Sequence, residues 1–379
     1  MNAAALIFSN IHDSAIPELT STRTMASVPF AGRYRLIDFA LSNIVNADIE
    51  KVGIITHYNY HSLVEHIGNG KDWDLARRAG GIKILSPFIT AFENNVSRKV
   101  YSTRLEALYG VMSFINNCKE KYIVLTDSDL IVNIDLKDVV SKHEKSGADL
   151  TIVTASRKAQ PEDDIDQTYI LDTNSDGRVT TARTIVPADY QNEANVSLNI
   201  FVFNKNYLAE VLLDGMAHGY RHFYTDLVRN NLEKSRIMTY TYDGYYARIS
   251  SLVSYYKESL RLLEPEVRNS IFKVENRSIY TKIRNTAPTS YHPGSSIKNS
   301  LIADGCVIEG TVENSIIFRG VKVGKGSVVR NSIVLQDSYI GNNVSLDCVL
   351  SDKNVVIRDG VKLSGHETLP FFIKKRTMI

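Results

Sequence analysis

Aliphatic residues recur every six positions in the last part of this sequence, and few folds can use that spacing. Ile317, Val323, Val329 and Leu335 form one run, which Val344, Leu350 and Val356 continue. A second register holds Val328, Val334, Ile340 and Leu346. Glycine and asparagine fill the intervening corners, as in VGKGS at 323–327 and IGNNV at 340–344. One inward aliphatic per six residues marks a parallel β-helix, in which each coil buries its core only by stacking on the next. A β-sandwich alternates with period two and has no reason to keep period six. The pattern predicts a left-handed parallel β-helix from about Ile297, with no helical stretch in it.

The chain ahead of it follows other periods. Apolar runs at Ala3–Phe8, Val52–Thr56, Tyr122–Thr126, Leu150–Thr154 and Asn199–Phe203 read as buried strands. Between them, Ser62–Ile67, Thr103–Ile115 and Asp226–Glu233 carry helical spacing. This alternation predicts a mostly parallel sheet covered by helices. Ligands of such sheets sit beyond the carboxyl ends of the strands, which singles out the loops after Phe8 and Thr126. A helical segment at Ser251–Glu264 and a linker with Pro288 and Pro293 join the two patterns. The expected organisation is an α/β domain over 1–245, a connecting helix and linker over 246–295, and the β-helix over 296–379.

A net charge of +2 argues against nucleic acid and anionic membrane as partners, leaving small molecules and proteins. No stretch is long and apolar enough to span a bilayer, and the opening MNAAALIFSN reads as a first strand and not a signal peptide. Cys118, Cys306 and Cys348 are odd in number and widely spaced, which argues against a disulfide framework or a metal-binding pair and points to the cytoplasm.

The segment FAGRYRLIDFALSNIVNADIEKVGIITHYNYHSLVEHI (Phe30–Ile67) narrows the choice. An α/β half followed by a β-helix resembles the sugar nucleotidyltransferases. This run is similar to the G-x-[FY]-R-x-I-D-F-x-L-S-N stretch of ADP-glucose pyrophosphorylase (glucose-1-phosphate adenylyltransferase). The resemblance covers essentially the whole chain, more weakly over 71–98 and 160–193. It implies a Rossmann-like, GT-A-like nucleotidyltransferase domain with a C-terminal left-handed β-helix. Ile37, Phe39, Leu41 and Ile44 read as core residues, so the run identifies the family more than a site.

Active members of that family move an adenylyl group from ATP to glucose 1-phosphate, and their motifs can be followed onto this chain. The triphosphate loop G-G-x-G-x-R-L and its later K-P-A lysine become Asn10, Ile11, Asp13, Ala15 and Met25. Glycines there let backbone N–H groups approach phosphate, and Asp13 adds repulsion instead. The G-D-H carboxylate aligns with Ser128, flanked by Asp127 and Asp129, and the D-V-G-T aspartate aligns with Arg248. The sugar-binding Y-R-G-T-A-D-A becomes YSTRLEA at 101–107, the glycine of S-x-G-I-Y-V-F becomes Asn199, and no E-K-P occurs. These departures are similar to those of the family's GlgD-type regulatory subunits. The resemblance therefore implies no catalytic residue and no cofactor for this chain, with Mg2+ held by a catalytic partner subunit. Asp127 and Asp129 are the residual candidates for catalysis.

What survives is a set of cations. Arg23, Arg33 and Arg35, with Lys51 on the next strand, occupy the neighbourhood of the family's anion-binding regulatory site, although Thr22 replaces a lysine of some relatives. The resemblance implies a phosphorylated-metabolite effector there; salt-bridging arginines are the plain alternative. His57, His61 and His66 lack the spacing for a shared metal, and the tyrosine-rich run Thr239–Tyr256 reads as packing. The leading expectation is a regulatory subunit that joins a catalytic ADP-glucose pyrophosphorylase subunit in a hetero-oligomer, a tetramer, for glycogen synthesis. The alternatives are an active enzyme with a rearranged site built on Asp127 or Asp129, and a hexapeptide acyltransferase. The last lacks a placed histidine, since only His366 lies beyond His292.

Overall fold

The computed structural model describes residues 1–77, 80–86, 101–160 and 168–379. Its centre is β1 (Ala3–Phe8), whose six residues are all buried. It lies between two parallel neighbours, β2 (Lys51–Ile55) and β4 (Tyr122–Asp127). A strand covered on both sides and both faces has no polar position to offer, which explains the unbroken apolar run. Helix α1 (Leu36–Asn46) starts where the Asp38 carboxylate accepts the Arg35 N–H at 3.0 Å. It buries Ile37, Phe39, Leu41 and Ile44 completely. Helix α2 (His61–Ile67) follows β2, and β3 (Gly81–Leu85) extends the parallel half.

The rest of the sheet departs from the parallel expectation. Helix α3 (Arg104–Tyr109) precedes β4, and helix α4 (Leu136–Ser146) lies between the short β5 (Leu130–Val132) and β6 (Leu150–Arg157). The strands β7 (Tyr169–Thr173), β8 (Val179–Thr184) and β9 (Ala194–Asn204) then follow one another with only a 3-10 turn among them. Without a crossover helix such strands can only turn back, and β7–β8, β7–β9, β6–β9 and β4–β9 all pair antiparallel. Helix α5 (Lys205–His218) and β10 (Ile237–Thr241), parallel to β6, complete a nine-stranded mixed sheet of the described residues. A small strand, β11 (Tyr246–Arg248), pairs with β5. Helices α6 (Leu252–Arg261) and α7 (Pro265–Phe272) lead to the linker. No helix among the described residues is long and apolar enough to cross a membrane.

From Ser290 onward the chain winds through three five-stranded parallel sheets, a left-handed β-helix. Corner serines fix its pitch: Ser332 N–H donates to Ser315 Oγ at 3.0 Å and Val349 N–H to Ser332 Oγ at 3.0 Å, each 17 residues apart. Three sides of six residues would need one more, so the aliphatic pattern slips by one position per coil. This merges the two sequence registers into one interior. Val312, Val329 and Leu346 stack on one side, Ile308, Val323, Ile340 and Ile357 on the second, Ile317 and Val334 on the third.

Leu335 and Leu350, read from the period as inward, face out instead. They join Ile316, Ile333 and Phe318 in a buried cluster with Phe30, Phe39, Tyr255 and Tyr256 of the α/β half. Val328 is only half-buried. The sheet that carries them is apolar on both faces because its outer face is the seam between the domains. Each large side chain sealed there contributes about 1.5–3 kcal/mol. Tyr256 OH also donates to the Asn331 carbonyl of the β-helix across the seam. Half of the tyrosine-rich run is thus domain packing.

Candidate functional site

The carboxyl ends of β1 and β4 are register neighbours, Phe8 opposite Asp127. The loop after β1 carries no glycine and closes as a 3-10 turn at Asp13–Ala15. That turn brings His12 against the end of β4, where its Nε2 lies 2.9 Å from Asp127 Oδ2 and 3.7 Å from Asp129 Oδ2. Arg104, the first residue of α3, presents its guanidinium fork to the same carboxylate. Its Nε donates to Asp127 Oδ1 at 3.0 Å, and one terminal nitrogen donates to Oδ2. Arg248, at the end of β11, places Nε 3.8 Å from Asp129 Oδ2 and donates from Nη2 to the Ser197 carbonyl at 3.2 Å. His12, Arg104, Asp127 and Asp129 are all buried.

Charge in this cluster is satisfied from within. Burial by itself would raise the Asp127 carboxyl, but the Arg104 guanidinium and then His12 hold it well below the usual carboxylate range. Burial pushes His12 toward neutrality, and the charges of Asp129 and Asp127 overcome it, so its pKa is raised. Two carboxylates thus face two guanidiniums and an imidazole whose charged form they stabilise.

A magnesium ion does not fit this set. His12, Asp127 and Asp129 bring their ligand atoms within 4.8 Å of one another. Mg2+, however, requires an octahedron of oxygens. Here both Asp127 oxygens already accept hydrogen bonds, and two guanidiniums border the space. Asp129 Oδ1 is buried and has no hydrogen-bond partner among the described residues.

The former phosphate loop is filled by its own side chains. Asn10 Oδ1 accepts from Tyr101 OH at 3.1 Å, and Asp13 Oδ1 accepts the Met25 N–H at 2.6 Å. Burial pushes the Asp13 carboxyl up to about 7, against the pull of that Met25 bond. The Met25 N–H thus meets a carboxylate of the chain itself. Asn199, at the position of the family's glycine, has a left-handed backbone with φ of 56°. Its buried Oδ1 accepts from Tyr224 OH at 3.1 Å.

The cations read from the sequence separate into three places. Arg33 and Arg35 line a narrow cavity of about 50 Å³ between the domains, together with Lys282, Arg284, Arg319 and Lys353. Arg35 is anchored by donation to Ser62 Oγ at 2.9 Å, and burial lowers its pKa to about 10, with Asp38 opposing. Arg319 Nε is paired with Asp304 Oδ1 at 3.0 Å. Arg23 lies buried outside the lining and binds both oxygens of Asp352 at 2.9 Å, tying the α/β half to the β-helix. Lys51 has to be taken out of the cluster. It sits at the amino end of β2, the far end of the strand from the α2 loop that holds Arg35. There its Nζ donates to the Asn117 carbonyl at 3.1 Å and pairs with Glu120 at 3.5 Å.

Two groups of functional residues escaped the sequence. Arg104 and His12 were hidden inside motifs read only as decayed, though a histidine one turn past the end of β1 and an arginine opening the helix ahead of β4, beside two aspartates, were a usable signal. Lys282 and Arg284 come from the linker, and Arg319 and Lys353 from coils two turns of 17 residues apart, a relation that shows only once the length of the coil is known. Of the three histidines, His61 is exposed and pairs with Glu65, while His66 is buried with Nε2 2.6 Å from Asp38 Oδ1.

Comparison with known proteins adds to this geometry. Residues 16–246 match the family model described as nucleotidyl transferase, and residues 287–368 match the GlmU-like, C-terminal hexapeptide model. The glycogen biosynthesis protein GlgD of Bacillus subtilis (strain 168) is 32% identical over 363 residues, 95% of this chain and 92% of that protein. Glucose-1-phosphate adenylyltransferase of Fervidobacterium nodosum is 31% identical over 368 residues, 96% of this chain and 86% of the relative. That of Thermosipho africanus is 32% identical over 331 residues, covering 87% and 78%.

Proposed function

The chain belongs to the nucleotidyltransferase family of glycogen biosynthesis that includes glucose-1-phosphate adenylyltransferase, and from that premise we propose that it is a regulatory subunit without catalysis of its own. One observation carries the proposal: Asp127 and Asp129, the carboxylates that flank the aligned metal position, are met by Arg104, His12 and Arg248 of the same chain. An adenylyl transfer site must neutralise a triphosphate and hold a bridging metal, contributions worth several kcal/mol in the transition state. Here the cations are spent on the carboxylates, and the loop that would cradle phosphate is closed by Asn10, Asp13 and Tyr101.

The partner that fits is a catalytic glucose-1-phosphate adenylyltransferase subunit, joined in a hetero-oligomer, with the chain's contribution being regulation. The cationic cavity between the domains supports an effector role, because a phosphorylated metabolite held there touches both halves at once. Coupling of about 1–3 kcal/mol would change the partner's substrate affinity several-fold to a hundredfold. The test is formation of ADP-glucose by the purified chain, by the catalytic subunit from the same cell, and by the two together. No product from the chain alone, a defined complex, and altered kinetics are expected; absence of any complex would sink the proposal.

The competing reading, an active enzyme on a rearranged site, draws on the unpartnered Asp129 Oδ1. Its signature is ADP-glucose made by the chain alone and abolished in Asp129→Asn.

A further inference from the structure

The interdomain cavity gathers far more positive than negative charge, and one of its cations differs from the others. Around Lys353 stand Arg33, Arg35 and His66 from the α/β half, and Arg23 behind them. The linker adds Lys282 and Arg284, and the β-helix adds Arg319 and Lys375. The carboxylates among these groups are Asp337 on the wall and Asp352 beside it. Asp352 is taken up by Arg23, and Arg319 is taken up by Asp304. Arg33, Arg284 and Lys353 have no carboxylate partner among the described residues. At about 50 Å³ the cavity has room for one tetrahedral oxyanion group.

We propose that this cavity takes up an oxyanion and a proton together, with Lys353 as the group that accepts the proton. The inference rests on the reading of the cavity as an anion site and specifies how that site is regulated. Arginines stay charged in any surroundings, whereas a lysine can shed its proton when burial and like charges press on it. Burial first, and then the charges of Arg35 and Arg23, lower Lys353 to about 6, with Asp352 opposing and Lys375 adding to the repulsion. Above that pH the empty cavity therefore holds a neutral amine. A dianion entering among the arginines reverses the local potential and draws the proton back. Linkage then gives the sign: anion affinity is highest at and below the free pKa of Lys353 and falls as pH rises above it. An effector bound in this way is read jointly with pH, over the range where a cell's interior varies.

Calorimetry with sulfate tests this, because sulfate has no titration of its own near neutrality. Titrations at constant ionic strength, in Hepes and in Tris, give the proton uptake from the buffer dependence of the heat. Wild-type protein at pH 7.5 is expected to take up close to one proton per sulfate. It should bind roughly eightfold more weakly at pH 7.5 than at pH 6.5, the ratio that a pKa near 6 dictates. Lys353→Arg keeps the charge and is expected to bind sulfate with no uptake and a flat pH profile. Binding by wild type with a heat independent of buffer overturns the inference and leaves the anion site standing. Uptake that persists in Lys353→Arg assigns the proton to His66 and also overturns it. No sulfate binding by either protein at either pH removes the anion-site reading, and the inference with it.

Discussion

Replacing Arg104 by Met tests whether the aligned metal position is held together by the chain's own charges. The substitution keeps the length and apolar stem of the side chain and deletes the fork that holds Asp127. At the observed 3.0 Å and an effective dielectric near 20, two unit charges attract by roughly 5 kcal/mol. Removing one member of a buried pair costs about 3–5 kcal/mol, because the other is left uncompensated. We therefore expect Arg104→Met to lower stability by about 3–5 kcal/mol at pH 7. The loss should also depend on pH. In the wild type the folded pKa of Asp127 lies below its unfolded value, so its contribution is complete above about pH 4 and fades as pH falls further. Without Arg104, burial dominates and raises that carboxyl, so the gap between the two proteins starts to narrow above about pH 4, as the variant's Asp127 takes up its proton, and narrows further below it as the wild type loses its own contribution. Urea unfolding followed by Trp73 measures this, since it is the single tryptophan and lies buried in the core of the α/β half. Adding Asp127→Asn to Arg104→Met should recover part of the loss. A cost under about 1 kcal/mol at pH 7, or a gap unchanged at acid pH, would refute the reasoning.

Three further outcomes follow from the same geometry. ATP with magnesium should bind this chain far more weakly in calorimetry than it binds an active relative, because Asp13 and Met25 close the loop and Arg248 borders Asp129; comparable affinity would overturn the regulatory reading. Leu335→Ala should cost about 2–5 kcal/mol in chemical denaturation while Val328→Ala costs less than about 1 kcal/mol, since only Leu335 fills the domain seam. Asn199→Ala should lose about 1–2 kcal/mol from its left-handed backbone alone, and Asn199→Gly should be closer to wild type, a difference readable from the two melting temperatures.

Much of this protein is written locally. A six-residue period admits few folds besides stacked coils, and a strand walled in by parallel neighbours has to be apolar along its length, so the β-helix and β1 were legible without coordinates. The absent glycines of the first loop and the arginine at 248 were equally visible, because both are statements about which residue types can approach phosphate or metal. What the sequence could not reveal depends on distance in space. The coil of 17 residues is set by serine hydrogen bonds between coils, and it alone decides that Val334 faces in while Leu335 faces the other domain. Arg104 and Asp127 are 23 positions apart and His12 and Asp127 are 115 apart, so only folding makes them one neutralised cluster. The interdomain cavity goes further, drawing on the turn before α1, on α2, on the linker and on the coils of the β-helix, and it leaves out Lys51 because that lysine sits at the opposite end of β2 from α2. Periodicity records what a residue needs from its neighbours in sequence, whereas charge acts through space, and only tertiary structure decides which charges meet.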